Sequence, residues 1–210
     1  IWTTGDIALQ SCSVDSNQSG NVGGGIRISG TVTLTDVTLD SNSGSNGGGL
    51  WLSGDGDVLR ISVDDNTASS NGGGSYVDGT LSAKHTTFNS NSTGSNGGGL
   101  WFDGDLDLDS SNVDLNSSGN NGAGIYGDGV LNMTFSNVDD NNSDNDGGGL
   151  WWGSGQVTVE RSQVRRNHAS RGGGVFILAE NPIFQFDEFS SNNAVTIGGG
   201  LYISKQSAAS

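Results

Sequence analysis

Apolar and polar residues alternate singly in short bursts along this chain, and the bursts recur. Ile26-Arg27-Ile28, Leu50-Trp51-Leu52, Leu100-Trp101-Phe102, Val175-Phe176-Ile177 and Leu201-Tyr202-Ile203 each place one outer residue between two apolar ones. A period of two is that of a strand with one buried face, and helical three-to-four spacing is absent throughout. A second burst follows, as in Val32-Thr33-Leu34, Leu106-Asp107-Leu108, Leu131-Asn132-Met133 and Val157-Thr158-Val159. A third segment ends on one apolar residue: Val14, Leu39, Val63, Phe88, Val113, Val138, Val164 or Phe189. Three residues later comes an asparagine every time: Asn17, Asn42, Asn66, Asn91, Asn116, Asn141, Asn167 and Asn192.

Glycines punctuate the segments. A triplet, Gly-Gly-Gly or Gly-Ala-Gly, opens at Gly23, Gly47, Gly72, Gly97, Gly122, Gly147, Gly172 and Gly198, in steps of 24, 25, 25, 25, 25, 25 and 26 residues. A single glycine (Gly30, Gly54, Gly79, Gly104, Gly129 or Gly155) separates the first burst from the second. So constant a period is the mark of a solenoid, in which each repeat buries its apolar face against its neighbours. Three short strands and three corners per repeat predict an all-β fold, a single-stranded parallel β-helix of about eight coils. Stacked about 4.8 Å apart, they form a rod of roughly 40 Å. All 210 residues belong to one such domain. Antiparallel hairpins are the rival, but two-residue hairpin turns are missing.

If residues one period apart lie over one another, each position becomes a column along the rod. The asparagine column can bond amide to amide at every step, a structural role that hides it from glycosylation despite acceptor-like triplets such as Asn116-Ser117-Ser118. The position after the triplet holds Trp2, Arg27, Trp51, Tyr76, Trp101, Tyr126, Trp151, Phe176 and Tyr202. Parity sends these outward and their aliphatic flanks inward, so an exposed aromatic stripe is expected. It serves either to stabilise the rod or as a face for a glycan, a sister rod or another protein. Gly127 and Ser75 stand at inward positions held elsewhere by larger residues, and Trp152, one coil above Gly127, is expected to lean into the space that it leaves.

Composition narrows the chemistry. The net charge is −15, with 8 Lys and Arg against 23 Asp and Glu, which argues against nucleic acid and anionic membrane as partners. No apolar run approaches the roughly 18 residues of a membrane helix. One cysteine, Cys12, allows no disulfide framework and reads as a small core filler. Asp78, Asp103 and Asp128 recur at one turn position, an oxygen-rich column that suits Ca²⁺ as well as a merely solvated acidic surface. Arg161, Arg165, Arg166, His168 and Arg171 concentrate positive charge in one zone, as an internal ion-pair patch or an anionic docking spot. The chain opens and closes at the same phase of the repeat, and neither Ile1-Trp2 nor the short tail Lys205–Ser210 makes a convincing cap for the open strand edges. It reads as a piece of a longer polypeptide or a unit that stacks end to end.

An aromatic or aliphatic residue three before Asn, followed by Gly-Gly-small-aliphatic-aromatic, resembles the repeats of the polymorphic outer-membrane protein family, FxxN and GGA(I/L/V). Phe88-Asn89-Ser90-Asn91 and Phe189-Ser190-Ser191-Asn192 fit FxxN literally; six copies carry Val or Leu for Phe, and the third small residue is Gly rather than Ala. The resemblance covers essentially the whole chain. It implies a right-handed β-helical passenger region at the cell surface or secreted, with adhesive use and no catalytic residues. The expected function is therefore a non-enzymatic extracellular stalk or fibre subunit whose partner is itself, a surface glycan or a protein. The alternatives are a polysaccharide-degrading β-helix enzyme, with paired carboxylates as its chemistry, and a Ca²⁺-stabilised glycan-binding module.

Overall fold

The computed structural model describes residues 1–179 and 181–204, and the tail from Lys205 lies outside them. The described residues form a β-solenoid of parallel strands and contain no helix. Each strand pairs with its counterpart one period away: Leu50 with Ser75, Tyr76 with Trp101, Leu106 with Leu131, Val113 with Val138. The coil at Leu50 is representative, with strands Leu50–Ser53, Gly56–Leu59 and Ser62–Asp64. In the next three coils the first two strands run on through the glycine corner as single elements, Ser75–Lys84, Leu100–Asp109 and Ile125–Thr134.

The loop after each core asparagine is more regular than its variable Ser/Asn/Gly sequence suggests. It contributes a fourth, very short ladder, through Ser43–Gly44, Thr67–Ala68, Ser92–Thr93, Ser117–Ser118, Asn142–Ser143, His168–Arg171 and Asn193–Ile197. Sequence periodicity misses it because two residues are too few to show an alternation.

Two corners per coil use left-handed backbone without glycine. One column runs Ser11, Asp36, Arg60, His85, Ser110, Phe135, Arg161, Phe186, and the other Ser16, Ser41, Asp65, Ser90, Leu115, Asp140, Arg166, Ser191, all with φ between 49° and 59°. They bracket the third strand and turn the chain at both its ends. A single αL residue costs roughly 1–2 kcal/mol, which ladder hydrogen bonds on either side offset. The glycine corner is stricter: a Cβ on Gly104 would lie 1.9 Å from the Gly79 carbonyl oxygen, so only glycine fits between stacked coils.

The core is a set of aliphatic columns from the three longer strands, among them Ile26, Ile28, Leu34, Leu39, Leu50, Leu52, Leu81, Leu100 and Leu106, all essentially inaccessible. Trp152 fills the space over Gly127 as expected. It is fully buried, a Cβ at Gly127 would meet its ring at 2.3 Å, and its Nε1 donates to the Gly129 carbonyl at 3.1 Å. Cys12 departs from expectation. It sits in the inward column with Val37, yet it is exposed, because it lies in the first coil, where this face has no coil beneath it.

Candidate contact face and its supporting ladders

The asparagine column is the internal spine. In each interior coil the side-chain amide nitrogen donates to the Oδ1 of the next asparagine and to the carbonyl of the apolar residue one coil back, while the backbone N–H donates to that same Oδ1. For Asn116 the distances are 3.0 Å to Asn141, 2.9 Å to the Phe88 carbonyl and 2.9 Å from backbone to Asn141. Asn42, Asn66, Asn91, Asn116, Asn141 and Asn167 are buried; Asn17 in the first coil is exposed and Asn192 near the last is half-buried. The third glycine of every triplet but the last packs on this column; a Cβ on Gly99, for example, would stand 2.9 Å from the Asn116 amide nitrogen.

Two further ladders escaped the sequence reading. Asn46, Asn71, Asn96 and Asn121, each just before a triplet, form a second amide column, in which Asn71 N–H donates to Asn46 Oδ1 at 3.0 Å and Asn121 N–H to Asn96 Oδ1 at 3.1 Å. Its backbone N–H groups donate toward the first coil, opposite to those of the spine. Asn-Gly at the start of four consecutive triplets was its signal. Just before the third strand, Thr86, Ser111, Ser136 and Ser162 make a hydroxyl column, with Ser111 N–H donating to Ser136 Oγ at 3.0 Å and Ser136 N–H to Ser162 Oγ at 3.1 Å. Val37 and Ile61 hold this inward place in earlier coils, so polar residues there give no amphipathic signal.

The aromatic column is continuous. Centroid distances run 6.2 Å for Trp51–Tyr76, 4.1 Å for Tyr76–Trp101, 6.3 Å for Trp101–Tyr126, 4.3 Å for Tyr126–Trp151, 6.4 Å for Trp151–Phe176 and 4.8 Å for Phe176–Tyr202, with planes within 20° of parallel. Arg27 completes the column, its guanidinium carbon 6.0 Å from the Trp2 ring and 5.2 Å from Trp51. Exposure is smaller than parity alone suggests. Trp2 is open, but Trp51, Tyr76, Trp101, Tyr126, Trp151 and Tyr202 are only partly accessible, and Phe176 is buried. Arg171, bonded to Asp146, lies 5.1 Å from the Phe176 ring and helps to cover it. Stacked rings hide their faces against one another and leave their edges to solvent. Burial, followed by the charges of nearby aspartates, raises the pKa of the Tyr76 and Tyr126 hydroxyls, so both stay protonated.

Asp78, Asp103 and Asp128 stand in strict register two residues beyond the rings. Burial and Asp103 raise the pKa of Asp128, against a hydrogen bond from Ser154 Oγ at 3.0 Å that lowers it. Among the described residues no three acidic, histidine or cysteine side chains gather in a metal-holding group, so this column stays a row of separate carboxylates. The basic zone is an internal ion-pair patch. Arg165 bonds buried Asp139 at 2.6 Å, Arg166 bonds Asp140 at 2.8 Å, and Arg171 bonds Asp146 at 2.5 Å. Asp139 belongs to the column Asp40, Asp64, Asn89, Asp114, Asp139, Arg165. Within it the Asp114 carboxyl is pushed up to about 6 by burial, with Asp139 next in weight.

The fold and its columns define a parallel β-solenoid with one aromatic face. No protein-family model, curated protein or solved structure matches the chain.

Proposed function

We propose that this chain is a non-catalytic structural rod of an extracellular or cell-surface protein, whose aromatic face meets another protein. The observation that carries the reading is the unbroken register of side-chain columns from Trp2 to Tyr202. Catalytic sites on repeat folds need the repeat broken so that unlike groups converge; here like stands over like, and the charged zone from Glu160 to Arg171 pairs largely with the coil below. Ring edges rather than faces reach solvent, which disfavours stacking of sugar rings along the stripe. A lateral pair of copies would bring like-charged acidic faces together.

Small-angle scattering and electron microscopy of the purified chain should give a stiff rod of roughly 40 Å, from about eight coils at strand spacing. Incubation with polyuronates should yield no turnover. Turnover abolished by a single Asp→Asn change would replace this reading with the polysaccharide-degrading one.

A further inference from the structure

The aromatic face also carries a row of carboxylates that no arginine or lysine of the described residues neutralises. Asp78, Asp103 and Asp128 follow the rings at two-residue spacing, and Asp105, Asp107 and Asp57 continue the same outer surface past the glycine corner. All but Asp128 are exposed, and none forms an ion pair among the described residues. On the third strand and its corners Arg165 and Arg166 meet Asp139 and Asp140 one coil below, while Asp40, Asp64 and Asp114 of the same column, which has no aromatic ladder beside it, form no ion pair among the described residues. Carboxylates aligned at strand spacing repel one another, and the fold keeps them beside tryptophan and tyrosine edges.

The chain itself displays the group that fits such a surface. The Arg27 guanidinium takes the place of a ring between Trp2 and Trp51. Arg171 holds its guanidinium 5.1 Å from the Phe176 ring while its Nε and Nη2 donate to Asp146 at 2.8 and 2.5 Å. A guanidinium is planar, weakly hydrated and forked to match a carboxylate, which a rounder ammonium does not reproduce. In the three coils from Tyr76 to Tyr126 the rings and the carboxylates are both present and the arginine is missing.

We propose that this face docks an arginine-rich segment of a partner polypeptide, with guanidinium groups on the Asp78–Asp103–Asp128 column and side-chain stems along the ring edges. The inference rests on the reading of the chain as a scaffold with a protein-binding face. It names the chemistry of that partner.

The test is fluorescence anisotropy of a labelled nona-arginine peptide at 150 mM salt, beside nona-lysine and a neutral peptide of equal length. Asp78→Asn/Asp103→Asn should weaken nona-arginine binding about tenfold, and Asp65→Asn/Asp144→Asn, which removes the same charge from exposed positions outside this face, less than about twofold. Trp101→Leu should erase the preference for arginine over lysine. Equal losses from the two Asp pairs would overturn the proposal, since the chain would then be a diffuse polyanion. So would equal affinity for the two basic peptides, absence of binding, or displacement of the peptide by stoichiometric calcium. Circular dichroism checks that each variant keeps its fold. A failed peptide arm with intact rods and no polyuronate turnover leaves the scaffold reading in place; turnover removes it whatever the peptide does.

Discussion

Asn116→Ala tests the spine where it is most deeply enclosed. Asn116 Oδ1 accepts from Asn91 backbone N–H at 2.9 Å and from Asn91 Nδ2 at 3.1 Å, and its own Nδ2 donates to Asn141 Oδ1 at 3.0 Å and the Phe88 carbonyl at 2.9 Å. Truncation strands two donors of buried Asn91 and deprives the Phe88 carbonyl of its amide. Three such groups at roughly 1–2 kcal/mol each predict a loss of about 3–6 kcal/mol. Asn17→Ala, in the exposed first coil, should cost about 1 kcal/mol or less. Asn116→Asp should be worse than Ala at neutral pH, because a carboxylate would face two acceptors with no proton to offer. Urea unfolding followed by far-ultraviolet circular dichroism gives the difference, and the denaturant slope shows whether the whole rod or one end melts. If Asn116→Ala costs no more than Asn17→Ala, the spine is not what holds the coils in register.

Gly127→Ala drives a methyl into the Trp152 ring and should destabilise by about 1–3 kcal/mol; Trp152→Leu in the same chain should recover part of that, measured as a double-mutant cycle. Asp114, with a folded pKa of about 6 above its unfolded value, stabilises the protonated rod. Its contribution is full below about pH 4 and fades as pH rises through 6, so Asp114→Asn should raise the melting temperature at pH 7.5 and change it little at pH 4. Asp140, held low by Arg166, acts in the opposite sense, and its contribution is lost as pH falls through its folded pKa. Tyr76→Leu should weaken the aromatic circular dichroism of the column and cost about 1–3 kcal/mol for two ring pairs, while far-ultraviolet spectra stay unchanged.

The coil, its length, the inward columns and the asparagine spine were legible because each repeats a residue type at a fixed step. Trp152 over Gly127 was legible for the same reason: one missing volume stood beneath one excess volume. What period two could not reveal was how the outward side chains lie on one another. Phe176 occupies an outward position and is buried, since ring-on-ring contact and the Arg171 cover depend on rotamers rather than on parity. The hydroxyl column from Thr86 to Ser162 was hidden because serine at an inward position looks like loop. The basic zone left two readings open, and only the coil beneath it, with Asp139, Asp140 and Asp146, separates them.

The two amide columns run in opposite senses: Asn42 N–H donates toward the last coil, and Asn71 N–H toward the first. In an α-helix every peptide dipole adds to the next, so polarisation along the axis accumulates with length. Here the backbone donors of the two rows oppose one another over the coils from Asn46 to Asn121, where both are present, instead of adding. A 25-residue unit that carries both asparagines therefore lengthens the molecule without extending a one-way row of amide bonds.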